Sequence, residues 1–153
     1  MIKYSLIKFK NYIVYILILK ILRGKLIHRG HDCNLFFKKL FLLLKNNTFI
    51  NIPFSYLLTI AFLNIKPFLN LYKTKLFKKS KKKIEKVKHI SILSGLKLVA
   101  IWIFSNIESY KTLDLLVLNF FFELCDAFYR TGRIFQKKLD HYQRCLDTRF
   151  FIK

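Results

Sequence analysis

A lysine-rich stretch at residues 73–88, with apolar sequence on both sides, constrains the fold of this chain more than any other feature. It reads KTKLFKKSKKKIEKVK, with nine lysines in sixteen residues and Glu85 as its only acid. A packed core cannot accommodate nine ammonium groups, because an unpaired charge is costly to remove from water. We call residues 73–88 the lysine arm. The arm is either a cationic projection that meets an anion or a solvated loop without a partner.

The charge excess extends beyond the arm. The 153 residues include 29 Lys and Arg but only 8 Asp and Glu, which gives a formal net charge of +21. A body of this charge repels itself, so the composition predicts a polyanionic partner. Apolar residues make up 54% of the chain, and 17 of them are Phe, which supplies a core and argues against overall disorder. The length corresponds to one domain.

Apolar residues recur at helical spacing before and after the arm, and they predict a mainly α-helical single bundle. β-branched residues in the arm predict a protruding basic β-hairpin between about residues 71 and 92. The expected helices before the arm are 10–22, which ends near Gly24, then 35–44, and then one from Phe54 to near Pro67. The helical spacing of the third continues through Phe68, Leu69 and Tyr72. After the arm, the expected helices are 96–108 and one from Thr112 to Gly132.

The two ends of the last of these helices carry recognisable signals. Thr112 is expected to cap its start, and Gly132 to end it as a glycine cap. The tail from Arg133 to Lys153 is basic and aromatic. Its core-facing residues are predicted to be Leu139, Tyr142, Leu146 and Phe150.

Cationic side chains concentrate in the arm and in the tail, where aromatic residues are interleaved with them. Lys and Arg neutralise phosphates, while aromatic rings stack on unpaired bases, so this pattern predicts nucleic-acid binding. The interleaved rings are Tyr72, Phe77, Phe128, Tyr129 and Tyr142. The predicted RNA-binding residues are Lys73, Lys75, Lys78, Lys79, Lys81, Lys82, Lys83, Lys86, Lys88, Arg130, Arg133, Lys137, Lys138, Arg144 and Arg149.

The sequence contains no recognisable catalytic set, and we predict no enzyme activity, cofactor or small-molecule substrate. Glu123 and Asp126 lie three residues apart and are either an acid pair or solvated and paired with Arg130. His28, His31 and Cys33 are either metal ligands or a polar loop; a fourth ligand is absent nearby, so no metal is predicted. The three cysteines fit no disulfide framework and are expected to be free thiols.

Two apolar runs raise the question of a membrane span. The run at 12–19 has eight residues, whereas a span needs roughly 20. The uncharged run at 46–65 is long enough, but it contains four asparagines and Pro53. We therefore predict no membrane span. A small organelle-encoded membrane protein subunit remains the alternative function, and a free RNA-processing factor is a third class.

The C-terminal half resembles a known family. The run ELCDAFYRTGRIFQKKLD, at residues 123–140, resembles a segment of the seventh protein of the small ribosomal subunit. Two further matches occur upstream in the family's order, and the lysine arm falls where the family's basic hairpin belongs. The family's double glycine and arginines in that hairpin are replaced here by lysines and Ser80. The matching positions are Asn64, Ile65, Lys66, Pro67, Ala100, Ile101, Trp102, Glu123, Leu124, Asp126, Ala127, Gly132, Lys137 and Arg149.

The resemblance implies a function and a domain organisation. It covers about residues 35–153, so we divide the chain into a lineage-specific N-terminal extension at 1–33 and a helical rRNA-binding domain at 34–153. By resemblance, the partners are small-subunit rRNA, through its 3′ major domain, and other proteins of the subunit head. The protein would nucleate head assembly and lie near the exit-site tRNA and the mRNA path.

The skewed residue usage bears on localisation. Phe, Ile, Lys and Asn are abundant, whereas Gly (4), Pro (2) and Trp (1) are scarce. This contrast is typical of genes in AT-rich organelle genomes. A mitochondrial ribosome is the predicted location, and a plastid is the alternative.

Overall fold

The computed structural model describes the main chain of residues 2–46, 52–75, 83–107 and 112–150, and the side chains in these ranges except at 2–11, 74–75, 83–84 and 149–150. The described ranges contain six helices and two strands. They are α1 (Ile2–His28), α2 (Cys33–Asn46), α3 (Phe54–Ile65), β1 (Leu69–Lys75), β2 (Lys83–His89), α4 (Ile92–Ile107), α5 (Leu113–Phe128) and α6 (Gly132–Phe150). The predicted mainly helical fold with one β-hairpin is confirmed.

The core is built around α3 and α5, which pack against each other. Phe120 of α5 lies between helices, with its ring centroid 5.3 Å from that of Phe36 and 5.9 Å from that of Phe104. The apolar residues of α5 at helical spacing, Leu116, Val117, Phe120, Phe121 and Leu124, are buried. Removing these side chains from water is the main favourable term that holds the helices together.

Helix α1 is longer than predicted and does not end near Gly24. An isolated glycine costs only about 1 kcal/mol in a helix, and Leu22 and Leu26, on either side of it, are fully buried. The burial of those leucines outweighs the glycine. The helix ends instead at His28, and Gly30, with φ 74°, is the left-handed residue of a Schellman motif: its N–H bonds to the oxygen of Ile27, and the N–H of His31 bonds to that of Leu26. Because Ile18 is also buried in the shared core, the segment 12–28 packs onto the helical body.

Helix α3 ends at Ile65, so the prediction that Phe68, Leu69 and Tyr72 continue its helical pattern was wrong. Lys66 adopts φ −52° and ψ 119°, which is outside the helical region, as the proline that follows requires. Leu69 and Tyr72 belong to β1, and the side chain of Phe68 is 59% exposed. Strands β1 and β2 form an antiparallel pair whose register runs from Leu69 opposite His89 to Lys75 opposite Lys83.

The ends of α5 also differ from prediction. Thr112 occupies the N-cap position, but its side chain makes no capping hydrogen bond. At the other end the helix stops at Phe128, before Gly132. The N–H of Arg130 bonds to the oxygen of Ala127 and the N–H of Thr131 to that of Asp126, which is again a Schellman motif. The residue in its left-handed position is Arg130, with φ 60°, where glycine is usual.

The inward face of α6 is not the one predicted. Leu139 and Leu146 are 45% and 46% exposed, and the side chain of Phe150 lies outside the described part of the chain. Ile134 and Cys145 are buried instead. The face that points inward follows the helical spacing of Ile134, Lys138, His141 and Cys145. Polar residues stand at its centre because α6 packs against the main-chain oxygens of Asn64 in α3 and Leu69 in β1 as well as against α5.

Candidate nucleic-acid interface

The described part of the hairpin carries cations on both of its faces. Lys73 lies opposite Glu85, and their side chains form an ion pair at 3.3 Å. Lys86 and Lys88 are exposed on the other face, opposite Tyr72 and Asn70. The two groups point to opposite sides because successive residues of a strand do so. The described strands therefore present lysines in two directions.

The remaining predicted residues of the arm are only partly described. The backbones of Lys75 and Lys83 form the last pair of the ladder, but their side chains are not described. Lys78, Lys79, Lys81 and Lys82 lie outside the described residues.

The base of the hairpin is fastened to α6 by two hydrogen bonds. The N–H of Phe68 donates to the hydroxyl oxygen of Tyr142 over 3.0 Å. Nε2 of His141 lies 2.9 Å from the carbonyl oxygen of Leu69, and because that oxygen can only accept, Nε2 carries the proton. These bonds bring two basic segments that are far apart in sequence into one surface.

Along that surface, the predicted cations of α6 fall into two groups. Arg133 and Arg144 are exposed, and the side chain of Arg149 is not described. Lys137 and Lys138 are half-buried and already hydrogen-bonded. Lys137 donates to Oγ of Ser105 over 3.1 Å and also to the side-chain oxygen of Asn106. Lys137 therefore joins α6 to α4, and its ammonium is only partly available to a ligand.

Asn64, on the last turn of α3, is the centre of a second set of contacts. Its Nδ2 donates to the carbonyl oxygens of Ala127 and Phe128 over 3.2 and 2.9 Å. Its Oδ1 accepts from Nε of Arg130 at 3.4 Å, and its main-chain oxygen accepts from Lys138. Arg130, considered as a partner for Glu123 or Asp126, thus bonds to Asn64 instead.

Two residues of this surface were missed as site residues by the sequence reasoning. Lys66 is only 7% exposed, yet its Nζ lies 4.4 Å from the centroid of the Phe68 ring, in a cation–π contact. Phe68 itself is exposed beside it. Apart from its place in the resemblance, nothing in the sequence distinguishes Lys66 from an ordinary surface lysine.

The aromatic residues near the cations differ in availability. Tyr72 and Tyr129 are exposed, Phe128 is half-buried, and Tyr142 uses its hydroxyl to hold the hairpin. Phe77 lies outside the described residues. Exposed rings next to ammonium groups offer stacking surfaces for unpaired bases.

Several cavities lie along the helical body. A small one of about 230 Å³ lies between α4 and α6 and is lined by Trp102, Lys137, Asp140, His141 and Arg144. A larger groove of about 590 Å³ lies between α1 and α4, with an apolar floor and Lys20, Lys25 and Lys97 among its lining residues. No residue of α6 or of the hairpin lines this groove.

Burial raises the pKa of one carboxyl group and two thiols. It raises the pKa of the Glu123 carboxyl, while the hydrogen bond from Asn106 at 3.5 Å opposes this, and Oε2 of Glu123 is buried without a partner. Burial also raises the pKa of the Cys125 thiol to about 11 and that of Cys145 above its usual range. At neutral pH both thiols are protonated, and the thiolate is the nucleophilic form.

The loop residues considered as metal ligands do not form a cluster. Sγ of Cys33 lies 3.5 Å from the carbonyl oxygen of Arg23, to which it donates. Among the residues that the structure describes, no group of three or more His, Cys, Asp or Glu side chains could hold a metal ion.

The question of a membrane span has a direct answer for the described helices. None of them has both the length and the apolar character that crossing a bilayer requires.

Comparison with known proteins adds no family to these observations. Neither the models of known protein families nor the curated proteins gave a significant match to this sequence.

Proposed function

We propose that this protein is an RNA-binding structural constituent of the mitochondrial small ribosomal subunit. The observation that carries the proposal is the attachment of α6 to the base of the hairpin, through Tyr142 to Phe68 and His141 to Leu69. It joins the two basic segments into one cationic surface. Such a surface suits a phosphate backbone, which dominates the affinity of nucleic-acid complexes.

Single-stranded or looped RNA is the form that the surface favours. Exposed Phe68, Tyr72 and Tyr129 stand among the cations and can stack on unpaired bases. Duplex DNA recognition uses an element that enters the major groove and reads base edges. A lysine-rich hairpin with adjoining rings is better suited to backbone contact and stacking.

The resemblance to the seventh protein of the small subunit narrows the proposal. On that basis the target is the 3′ major domain of small-subunit rRNA, and the protein nucleates assembly of the subunit head beside other head proteins. The hairpin would then lie near the exit-site tRNA and the mRNA path. The residue usage favours a mitochondrial ribosome, with a plastid as the second location.

Sedimentation of the native protein tests this assignment. Mitochondrial lysate is fractionated on a sucrose gradient, and the RNA bound to the protein is sequenced. We expect the protein in the small-subunit peak, released by ribonuclease, with crosslinks concentrated in the 3′ major domain. A free processing factor would sediment away from the subunit, and a membrane subunit would depend on detergent and ignore ribonuclease; either result contradicts the proposal.

Binding measurements on purified protein test the surface itself. If the surface meets about 6 to 10 phosphates, raising salt from 50 to 200 mM should weaken binding to a 3′ major domain fragment by roughly 10³- to 10⁵-fold, by analogy with duplex DNA. Replacing Lys86 and Lys88 with Gln should flatten this dependence. Replacing Lys20 and Lys97 with Gln is the matched control, because it removes the same charge from the α1–α4 groove. Equal effects of the two pairs would mean that net charge, not this surface, binds RNA.

A further inference from the structure

Two cations bond to Asn64 at the junction of α3, α5 and α6, and the charge of a third, Lys66, acts on one of them, Lys138. Arg130 and Lys138 each donate to Asn64, and Lys66 follows two residues after it. We call Lys66, Arg130 and Lys138 the Asn64 cluster. Within the described residues none of the three forms an ion pair, since the ion pairs there join Lys39 to Asp114 and Lys73 to Glu85. Like charges gathered without an acid repel one another, so the free protein bears a cost at this point.

Lys66 is held in the cluster by packing. Its side-chain carbons lie across Gly95 of α4, so closely that a β-carbon at Gly95 would stand 2.8 Å from Cγ of Lys66. The glycine therefore makes room for the stem of a lysine that is 93% buried. The ammonium is left against the ring of Phe68, with no hydrogen bond among the described residues. A methionine or leucine would fill this space without the cost of burying a charge.

The other two members are also in costly arrangements. Burial lowers the pKa of Lys138, and the charges of Arg130 and Lys66 lower it further. Arg130 occupies a left-handed backbone position, which is unfavourable for a side chain with a β-carbon. The equivalent position at the end of α1 is Gly30. Strain retained in a folded protein points to a functional role for the residue that bears it.

We propose that the Asn64 cluster binds one phosphodiester phosphate of the bound RNA. This inference rests on the proposed function and names a site within it. The phosphate would remove the repulsion among the three cations and accept hydrogen bonds from Lys66, Lys138 and the η-nitrogens of Arg130. The RNA backbone is favoured over the carboxylates of a protein partner, because the cluster adjoins the hairpin and its exposed Phe68 ring.

Salt-dependent affinity of the full-length protein for the 3′ major domain fragment tests the site. The variants are Lys66→Met, Lys138→Met and the double substitution, with Lys97→Met as the control of equal charge. Each single substitution in the cluster should weaken binding roughly tenfold, as expected for the loss of one charged hydrogen bond. Lys97→Met should leave affinity within about twofold.

The double variant decides whether the cluster meets one phosphate. Each phosphate that the protein neutralises contributes about 0.7 to 0.9 to the slope of log K against log salt, because its counterions are released. Because both lysines act on the same phosphate, the double variant should lose no more than about 0.9 of slope. Two independent phosphates would give a loss of about 1.4 to 1.8, and no loss would place the cluster outside the interface; either result overturns the proposal.

A thermal measurement separates failure of the site from failure of the proposed function. Free wild-type protein should gain more in melting temperature from inorganic phosphate than from chloride at equal ionic strength, and Lys66→Met should lose that gain while Lys97→Met keeps it. If the wild type does not bind the RNA fragment, the proposed function fails, while this measurement still reports on the site. If Lys66→Met abolishes the phosphate effect but leaves RNA binding unchanged, the site takes free phosphate and its assignment to RNA is wrong. An equal rise in melting temperature with phosphate in all variants would also count against a phosphate site at the Asn64 cluster.

Discussion

The side-chain amide of Asn64, on the last turn of α3, donates to the carbonyl oxygen of Phe128, the last residue of α5, over 2.9 Å. The same nitrogen also donates to Ala127 at 3.2 Å. The last carbonyls of a helix have no partner within it, so this side chain supplies what the helix lacks. The contact fixes the end of α5 against α3, and it brings Arg130 within hydrogen-bonding distance of Asn64.

Asn64→Ala should destabilise the protein by about 1 to 3 kcal/mol, because it leaves poorly exposed carbonyl groups at the end of α5 without a donor. Urea unfolding followed by circular dichroism measures the change. Asn119→Ala is the control, since its Nδ2 bonds to Leu115 within its own helix, and we expect a change within about 0.5 kcal/mol. Equal effects of the two substitutions would mean that Asn64 does not hold the helix end.

Arg130→Gly should stabilise the free protein by about 1 kcal/mol, because glycine adopts the left-handed conformation without strain. The reverse change at the matching helix end, Gly30→Ala, should cost about 1 kcal/mol, and its β-carbon would meet no neighbour within 4 Å. Melting temperatures of the two variants check this. A loss of stability in Arg130→Gly would show that the arginine side chain contributes more than its backbone strain costs.

Phe120→Ala should cost about 3 to 5 kcal/mol, a large share of the stability of a small domain. The ring is fully buried and lies against Phe36 and Phe104, so its removal leaves a cavity. Phe122→Ala, two residues further along the same helix, should cost much less, because that ring is 55% exposed. Chemical denaturation of both variants measures the difference, and similar values would contradict the burial of Phe120 in the core.

Glu123→Gln should stabilise the protein at pH 7 and have little effect near pH 4. The pKa of Glu123 is raised in the folded state above its usual 4.5, so the folded state binds its proton more tightly than the unfolded state does. The penalty for burying the charge is therefore absent below pH 4.5 and fully present above the raised folded pKa. Melting temperatures of wild type and variant across pH 4 to 7 test this. A constant difference would show that charge is not the cause.

The buried thiols should not make the stability of the protein depend on pH near neutrality. With its pKa raised to about 11, Cys125 stays protonated well above physiological pH. The free energy of unfolding of Cys125→Ser should therefore depend on pH between 6 and 8 in the same way as that of the wild type. The altered packing should shift it by a constant amount. A slope that differs between the two proteins in this range would contradict the buried, protonated thiol.

The sequence alone determined the helical body and the hairpin. Periodic apolar residues define α2, α4 and α5, and a run of lysines that no core can bury predicted the projection between them. These features depend on residues close together in the chain. Helix ends were harder, because Gly24 and Gly132 carry the usual signal for a helix end, while Arg130 occupies such a position without it.

Tertiary structure alone decided how the cationic surface is assembled. Asn64 meets α5 across 63 and 64 residues of sequence, and Phe68 meets Tyr142 across 74. Such contacts leave no periodic trace, so Lys66 could not be distinguished from an ordinary surface lysine. The inward face of α6 was misjudged for the same reason. Its polar residues meet main-chain oxygens of α3 and β1, and hydrogen bonding there outweighs the preference of leucine for burial.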